Sequence, residues 1–344
     1  MKVVKVKASK KYSIYIGEKA LDSVVEILDK SLTKKPNKIL VVADNTVYSR
    51  YGKRLNNLLS EYASVYSAVF CAGEQSKTLL TAQEVIKVLA EKQFTKTDIL
   101  IALGGGVTGD ITGFVASVYL RGVNFVQVPT TLLSAIDSSV GGKTGVDIPQ
   151  GKNLVGAFHQ PKAVICDTAI ISDLPSNIYA QGIAEAIKYG VIASEKLFDK
   201  IANNTISIDD LIYACVSIKA KIVKKDEFDC GLRQLLNLGH TFAHSIEKLS
   251  NFTLSHGECV GIGMLYASRY AQKLGLSGND EKRIESALLA YGLPVSCDFT
   301  KQEIFESLLT DKKRRGDKIT LVLPVKIGKC KLVKTDIEKF KETF

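Results

Sequence analysis

Hydrophobic positions in the first half of the chain fall into short runs separated by amphipathic stretches. The runs at 38–43 (KILVVA), 63–70, 98–103 (DILIAL), 125–128 (FVQV) and 163–166 have the length of buried strands, and several intervening stretches repeat apolar residues at helical spacing. Strands alternating with helices predict a parallel α/β domain over residues 1–174. The opening MKVVKVKASK alternates Val with Lys and has no apolar signal core, so an edge strand is expected there. From Pro175 the pattern changes to long helical periodicity. Asp173 or Ser176 is placed to cap a helix that carries Pro175 in its first turn and an apolar stripe to residue 192. Further helices are predicted over 208–225, 232–249, 258–274 and 280–291, and 319–324 is an isolated strand candidate. The expected architecture is an α/β domain (1–174) followed by a mainly α-helical one (175–344), and two domains suit a chain of 344 residues.

Charge adds a partner class. Lys and Arg number 46 against 36 Asp and Glu, a net charge of +10 that suits anionic partners. The densest basic run is Asp311-Lys312-Lys313-Arg314-Arg315. Aromatics are only 8% and Trp is absent, so no stacking platform for nucleic acid accompanies the run, and a phosphate-binding or solvated cluster is expected instead. No apolar run reaches the roughly 18 residues that cross a bilayer, so no membrane partner is expected. Seven scattered cysteines without a C-x-x-C pair point to reduced, mostly buried thiols with no assigned chemistry, and the opening without a signal core suits a cytoplasmic protein.

Of four histidines, three fall within seventeen residues, in LGHTFAHSIE and LSHGE. His240 and His244 are four apart and share one face of a helix; His256 begins the next helix after a short polar turn. Such a cluster in a His-poor chain points to a divalent metal, with three protein ligands and one position open to substrate. The H-E-x-x-H order of metalloproteases is missing, because Thr241 follows His240. Two carboxylates compete as the further ligand. Glu258 is adjacent, but Ser255-His-Gly-Glu258 is also a capping box, which explains it fully. Glu185, in GIAEAIKYG, has Lys188 one turn on and would alone be an ordinary helix ion pair. Spacing does not choose between the two glutamates.

GGGVTGD (104–110) follows the strand DILIAL, and Gly104, Gly106 and Gly109 satisfy G-x-G-x-x-G, a loop that lets backbone amides approach a pyrophosphate. A tight structural turn is the competing explanation. Residues 128–153 contain GGKT, but Asp137 stands where a Walker A loop needs its first glycine. There remain Asp137, Lys143, Lys152 and Asn153 among small residues, a composition suited to carboxylate or phosphate recognition or to a surface loop.

Together these segments resemble the 3-dehydroquinate synthase family along nearly the whole chain: AGEQSK (72–77), GGGVTGD, VPTTLLSAIDSSVGGKTGVD (128–147), GKNLVGAFHQP (151–161), GIAEAIKYG (182–190), GLRQLLNLGHTFAHSIE (231–247), SHGE (255–258) and DKK (311–313). The resemblance implies a Rossmann-like domain holding NAD and a helical domain that holds the metal, zinc or cobalt, and closes over the cleft. It assigns the metal to Glu185, His240 and His256, leaving His244 as a substrate-facing group. It implies NAD contacts from Asp44, Glu74, Lys77, Gly105, Gly106, Val107, Thr108, Gly109, Asp110, Thr130 and Thr131, with Asp137, Lys143 and Lys152 near both ligands. Asn153, Lys188, Lys219, Arg233, Asn237 and His244 would surround the substrate. Lys143, Lys188, Asp229, Arg233, Asn237 and His244 are the implied catalytic set. Arg121 would reach the phosphate of a neighbouring subunit in a homodimer, and Lys312 or Lys313 would meet the phosphate too.

The implied reaction converts 3-deoxy-D-arabino-heptulosonate 7-phosphate, a phosphorylated keto-acid sugar, to 3-dehydroquinate and phosphate. Four positions depart from the family pattern: Ala72 where Asp is common, Phe228 for a frequent Arg, Asp229 for the usual Glu, and Ala243 for a common Gly. Rival readings are another sugar-phosphate cyclase, a metal-dependent polyol dehydrogenase releasing NADH, and a basic nucleic-acid-binding protein.

Overall fold

The computed structural model describes residues 1–278, 280–312 and 318–343, the side chains of 310–312 excepted. It divides into two compact units, Met1–Leu174 with Ile208–Phe228, and Pro175–Ser207 with Asp229–Phe344.

In the first unit, β1 (Lys2–Val6), β2 (Tyr12–Gly17), β3 (Lys38–Asp44), β4 (Ser64–Phe70), β5 (Ile99–Gly104), β6 (Asn124–Pro129) and β9 (Ala163–Asp167) form a seven-stranded sheet in the order β1-β2-β9-β6-β5-β3-β4. Only β1 runs antiparallel to its neighbour. The central strands read as unbroken apolar runs because both faces are covered. Ile39, Val41 and Ala43 of β3 pack with the helices Val24–Ser31 and Lys53–Leu59. Leu40 and Val42 pack with Leu79–Glu91 and Gly106–Val118 on the other side.

From β3 the chain steps outward to β4 and then returns to the opposite side of β3 as β5. The carboxyl ends of β3 and β5 therefore flank a topological switch point, where sheets of this kind bind ligands. Asp44 ends β3, and Gly104 ends β5.

The glycine-rich stretch after β6 holds an antiparallel hairpin, β7 (Lys143–Ile148) with β8 (Gly151–Phe158). The helix Ile208–Lys225 departs from the expected 175–344 domain. Its buried side, Leu211, Ile212, Cys215, Val216 and Ala220, belongs to the first unit, where the helix contacts β1 and β2.

The second unit is built on the helices Ser176–Ala193, His240–Leu249 and His256–Lys273, with Glu195–Ala202, Asp280–Leu289, Lys301–Lys312 and Ile337–Thr343 around them. Pro175 is itself the N-cap of the first, and no side chain caps it, neither Asp173 nor Ser176. The helix expected over 232–249 is broken. Leu232–Asn237 is a 3-10 turn and Gly239 has φ +80 before the helix starts at His240. A β-carbon at Gly239 would lie 2.8 Å from the carbonyl oxygen of Val260, so the bend is tied to a close approach of the next helix. The strand expected at 319–324 is not isolated either. It is β10 (Lys318–Lys326), paired with β11 (Lys329–Asp336), whose mostly exposed KCKLVKTD lacks an apolar run. Among the described residues no helix is long and apolar enough to cross a membrane.

Candidate active site

In the second unit, the helix Ser176–Ala193 is buried on all sides from Gly182 to Ile192, which places Glu185 at 0% exposure and Lys188 at 1%. Two isolated buried charges would be prohibitive, and they satisfy one another: the Lys188 ammonium pairs with Oε2 of Glu185. The other oxygen, Oε1, lies 3.3 Å from Nε2 of His256 and 3.6 Å from Nε2 of His240. One ligand atom from each of Glu185, His240 and His256 falls within 4.8 Å of the others.

Local rules bring the three together. Ser255 and Glu258 form the capping box, with the Ser255 amide and hydroxyl each donating to Glu258 Oε2 at 2.7 Å, so His256 opens its helix and Glu258 is committed to the cap. That helix approaches its neighbours through glycines. A β-carbon at Gly257 would lie 2.5 Å from Gln181 Cα, one turn before Glu185, and one at Gly263 would lie 2.2 Å from the Gly239 carbonyl oxygen. The His240 and His256 rings end with centroids 5.2 Å apart. His244 is exposed, 5.7 Å from the His240 ring, and is outside the triad.

Burial, then the Lys188 charge, pushes His240 down to about 3, so its imidazole is neutral with a lone pair to give. Burial also pulls His256 down, but hydrogen bonds to Glu185 and Glu247 and their charges outweigh it and raise the group to about 10. The far nitrogens are held as well. His240 Nδ1 is 3.2 Å from the Leu238 carbonyl oxygen, and His256 Nδ1 is 2.7 Å from Glu247 Oε1. Two imidazole nitrogens and one carboxylate oxygen, each with outer support, are a donor set for a divalent cation with an open position.

In the first unit, the helix Gly106–Val118 starts at Gly105 with no side-chain cap, leaving its first amides for an anion. The glycines of its loop have different causes. A β-carbon at Gly104 would sit 2.3 Å from Thr108 Oγ1 and 2.6 Å from its Cβ, so packing alone requires glycine there, whereas one at Gly109 would meet the end of the Gln127 side chain, Oε1 at 2.5 Å. Gly105 has φ −75, and a β-carbon there would meet only Thr131 at an ordinary 3.5 Å. The protein's own packing therefore does not demand glycine at 105.

Several expected residues meet around this loop. Lys77, 5% exposed, donates to Asn153 Oδ1 at 2.6 Å and pairs with Asp110 at 2.7 Å. Burial works against the Lys77 charge, but Asp110 overcomes it and raises the group. Lys152 is 3.6 Å from Glu74, and Lys219 donates to both the carbonyl and Oδ1 of Asp137. Asp44 caps the turn after β3 by accepting from the Val47 amide. Thr130 and Thr131 follow β6, and Thr131 shares hydrogen bonds with Ser134.

Residues 67–181 match the family model for the 3-dehydroquinate synthase N-terminal domain, and residues 182–314 match that for the C-terminal domain. The chain belongs to the 3-dehydroquinate synthase family. The 3-dehydroquinate synthase of Clostridium kluyveri is 40% identical, with 98% of this chain and 97% of the relative covered. That of Thermoanaerobacter sp. is 42% identical, with 94% and 93% covered. Among solved structures, the 2-epi-5-epi-valiolone synthase of Streptomyces hygroscopicus, with NAD+ and Zn2+ bound, matches at a TM-score of 0.86 and 26% identity, with 100% and 98% of the two chains covered.

The remaining residues implied by the family resemblance fall on both units. Lys143 is exposed at the start of β7, and Arg121 is exposed on a turn with φ +63. Arg233 is buried in the 3-10 turn, whose last residue, Asn237, is exposed. Asp229 adopts φ +61 in the segment before it. Lys313 and the side chain of Lys312 lie outside the described residues.

Two residues were not singled out by sequence. Asp147 accepts from the Asn153 amide at 2.7 Å, holding that residue at φ +55. Glu247 supports His256. Its signal was its place seven residues after His240, on the same helix face as His240 and His244.

Proposed function

We propose that this chain is a cytoplasmic 3-dehydroquinate synthase that converts 3-deoxy-D-arabino-heptulosonate 7-phosphate to 3-dehydroquinate and phosphate. The observation that carries the reading is the convergence of Glu185, His240 and His256 in a chain of this family. The first unit would hold NAD at Asp44, Glu74, Lys77, Gly105 to Asp110, Thr130 and Thr131. When bound, NAD supplies reversible hydride acceptance and the divalent metal, zinc or cobalt, polarises the reacting hydroxyl. The net conversion, loss of phosphate and closure to the carbocycle, is redox-neutral, so the residues that would hold NAD would keep it for reuse, and ring closure would need mainly orientation by the chain's own groups.

The chain's own groups bind and orient these species. Lys143, Lys152, Asn153, Lys188, Lys219, Arg233 and Asn237 would meet carboxylate, hydroxyl and phosphate groups, which accounts for the positive net charge. The Lys219–Asp137 pair fixes one ammonium in place before substrate arrives. His244, exposed and outside the metal triad, would carry a proton. Asp229 keeps the carboxylate of the family's Glu on a shorter stem. The seven cysteines, none of them placed in a disulfide, suit the proposed cytoplasmic setting. Arg121, projected from a turn with Leu120 at φ +48, would serve a neighbouring subunit of a homodimer.

Phosphate release from the heptulosonate phosphate with catalytic NAD, before and after chelation, tests this reading. Turnover should need only substoichiometric NAD and should stop when metal is stripped. Stoichiometric NADH release would overturn the cyclase assignment in favour of a polyol dehydrogenase.

A further inference from the structure

The His256 ring lies between two carboxylates. Nε2 faces Glu185 Oε1 at 3.3 Å, and Nδ1 meets Glu247 Oε1 at 2.7 Å. Glu247 is 5% exposed on the helix His240–Leu249, and burial of a carboxylate is costly unless it is paired. A plain ion pair tying two helices together could use either ring nitrogen. Here Nδ1 is taken, so the ring keeps its proton on that side. When Nε2 gives up its own proton as a metal binds, its lone pair is directed at the point that Glu185 and His240 also face. His240 is held in the same sense by the Leu238 carbonyl oxygen on its own Nδ1. The two rings thus both face an acceptor with Nδ1, but the acceptors differ in charge, a neutral carbonyl in one case and a carboxylate in the other. A carboxylate behind an imidazole raises its basicity as a ligand and fixes its orientation.

We propose that Glu247 is a positioning residue of the metal centre, fixing the tautomer of His256 and making it the stronger of the two imidazole donors. The inference rests on the metal reading above. It does not place Glu247 against substrate or metal; its action passes through His256.

The test is metal affinity, read without turnover. Wild type, Glu247→Gln and Glu247→Asp are stripped and titrated with Zn2+ against a chromophoric chelator, and the visible spectrum of each Co2+ form is recorded. Gln keeps an oxygen acceptor but removes the charge, whereas Asp keeps the charge but shortens the reach. Glu247→Gln should bind one equivalent about 10–100-fold more weakly than wild type, with a shifted Co2+ spectrum. Glu247→Asp should fall between the two. If Glu247→Gln does not fold, Glu247→Asp carries the comparison. A folded variant with wild-type affinity and spectrum overturns the inference. Wild type that binds no stoichiometric metal would instead overturn the metal reading itself.

Discussion

The backbone at Gln181 runs so close to Gly257 that a β-carbon on the glycine would sit 2.5 Å from Gln181 Cα. This contact joins the helix carrying Glu185 to the helix opened by His256, and both partners are backbone atoms that cannot swing aside. Gly257→Ala should therefore cost about 1–3 kcal/mol of stability through overpacking and weaken metal binding by separating the two ligands. Thermal melts and chelator competition would read both. Gly278→Ala, where nothing lies within 4 Å, is the control that should change neither.

The histidines should separate by role. His240→Ala is expected to abolish stoichiometric metal binding. His244→Ala should keep the metal and lower kcat by roughly 100-fold or more, the usual scale for losing a proton-transfer group. Metal content after dialysis and steady-state kinetics check the pair, and equal metal loss in both variants would contradict the assignment.

Metal-free protein should show a pH optimum of stability set by the same residues. His256 titrates at about 10 against an ordinary 6.5, so its contribution is full below pH 6.5 and is lost as pH rises toward 10. His240, at about 3, contributes fully above pH 6.5 and loses that contribution as pH falls toward 3. The pair therefore favours the folded state most near pH 6.5. Melting of chelated protein on either side of that pH tests this, and His256→Ala should flatten the alkaline limb. Metal binding at neutral pH should also release a proton, measurable by calorimetry in buffers of different ionisation enthalpy.

The glycine loop permits a sharper division. Gly104→Ala forces a β-carbon to within 2.3 Å of the Thr108 hydroxyl and should destabilise the first unit by about 1–3 kcal/mol. Gly105→Ala has room and ordinary backbone angles, so it should fold as wild type. Its effect should appear in NAD binding, weakened at least about tenfold, or about 1.4 kcal/mol. Fluorescence titration with NADH beside a thermal melt distinguishes the two.

Sequence patterning carried the buried strands well, because a strand covered on both faces, such as β3, must be apolar throughout. It failed where side chains do not record the geometry. The hairpin of β7 and β8 was hidden by glycines, and β11 by alternating lysines on an exposed edge. The break before His240 was hidden in an otherwise helical pattern, since only the approach of Val260 shows why Gly239 must bend. In the site, spacing exposed the histidines but could not choose between Glu185 and Glu258. The capping geometry at Ser255 commits Glu258, and only folding brings Glu185 to the pair. Glu247 was legible as a helix-face neighbour of His240, yet its partner lies on another helix.

The return of the helix Ile208–Lys225 to the first unit has a consequence for synthesis of the chain. The seven strands lie within one contiguous stretch of sequence but their cover does not, because β1 and β2 wait for an apolar helix made after part of the second unit has left the ribosome. A fragment ending at Leu174 should therefore expose that apolar surface and aggregate on expression, whereas adding residues 208–228 through a short linker should restore a soluble, cooperatively melting product.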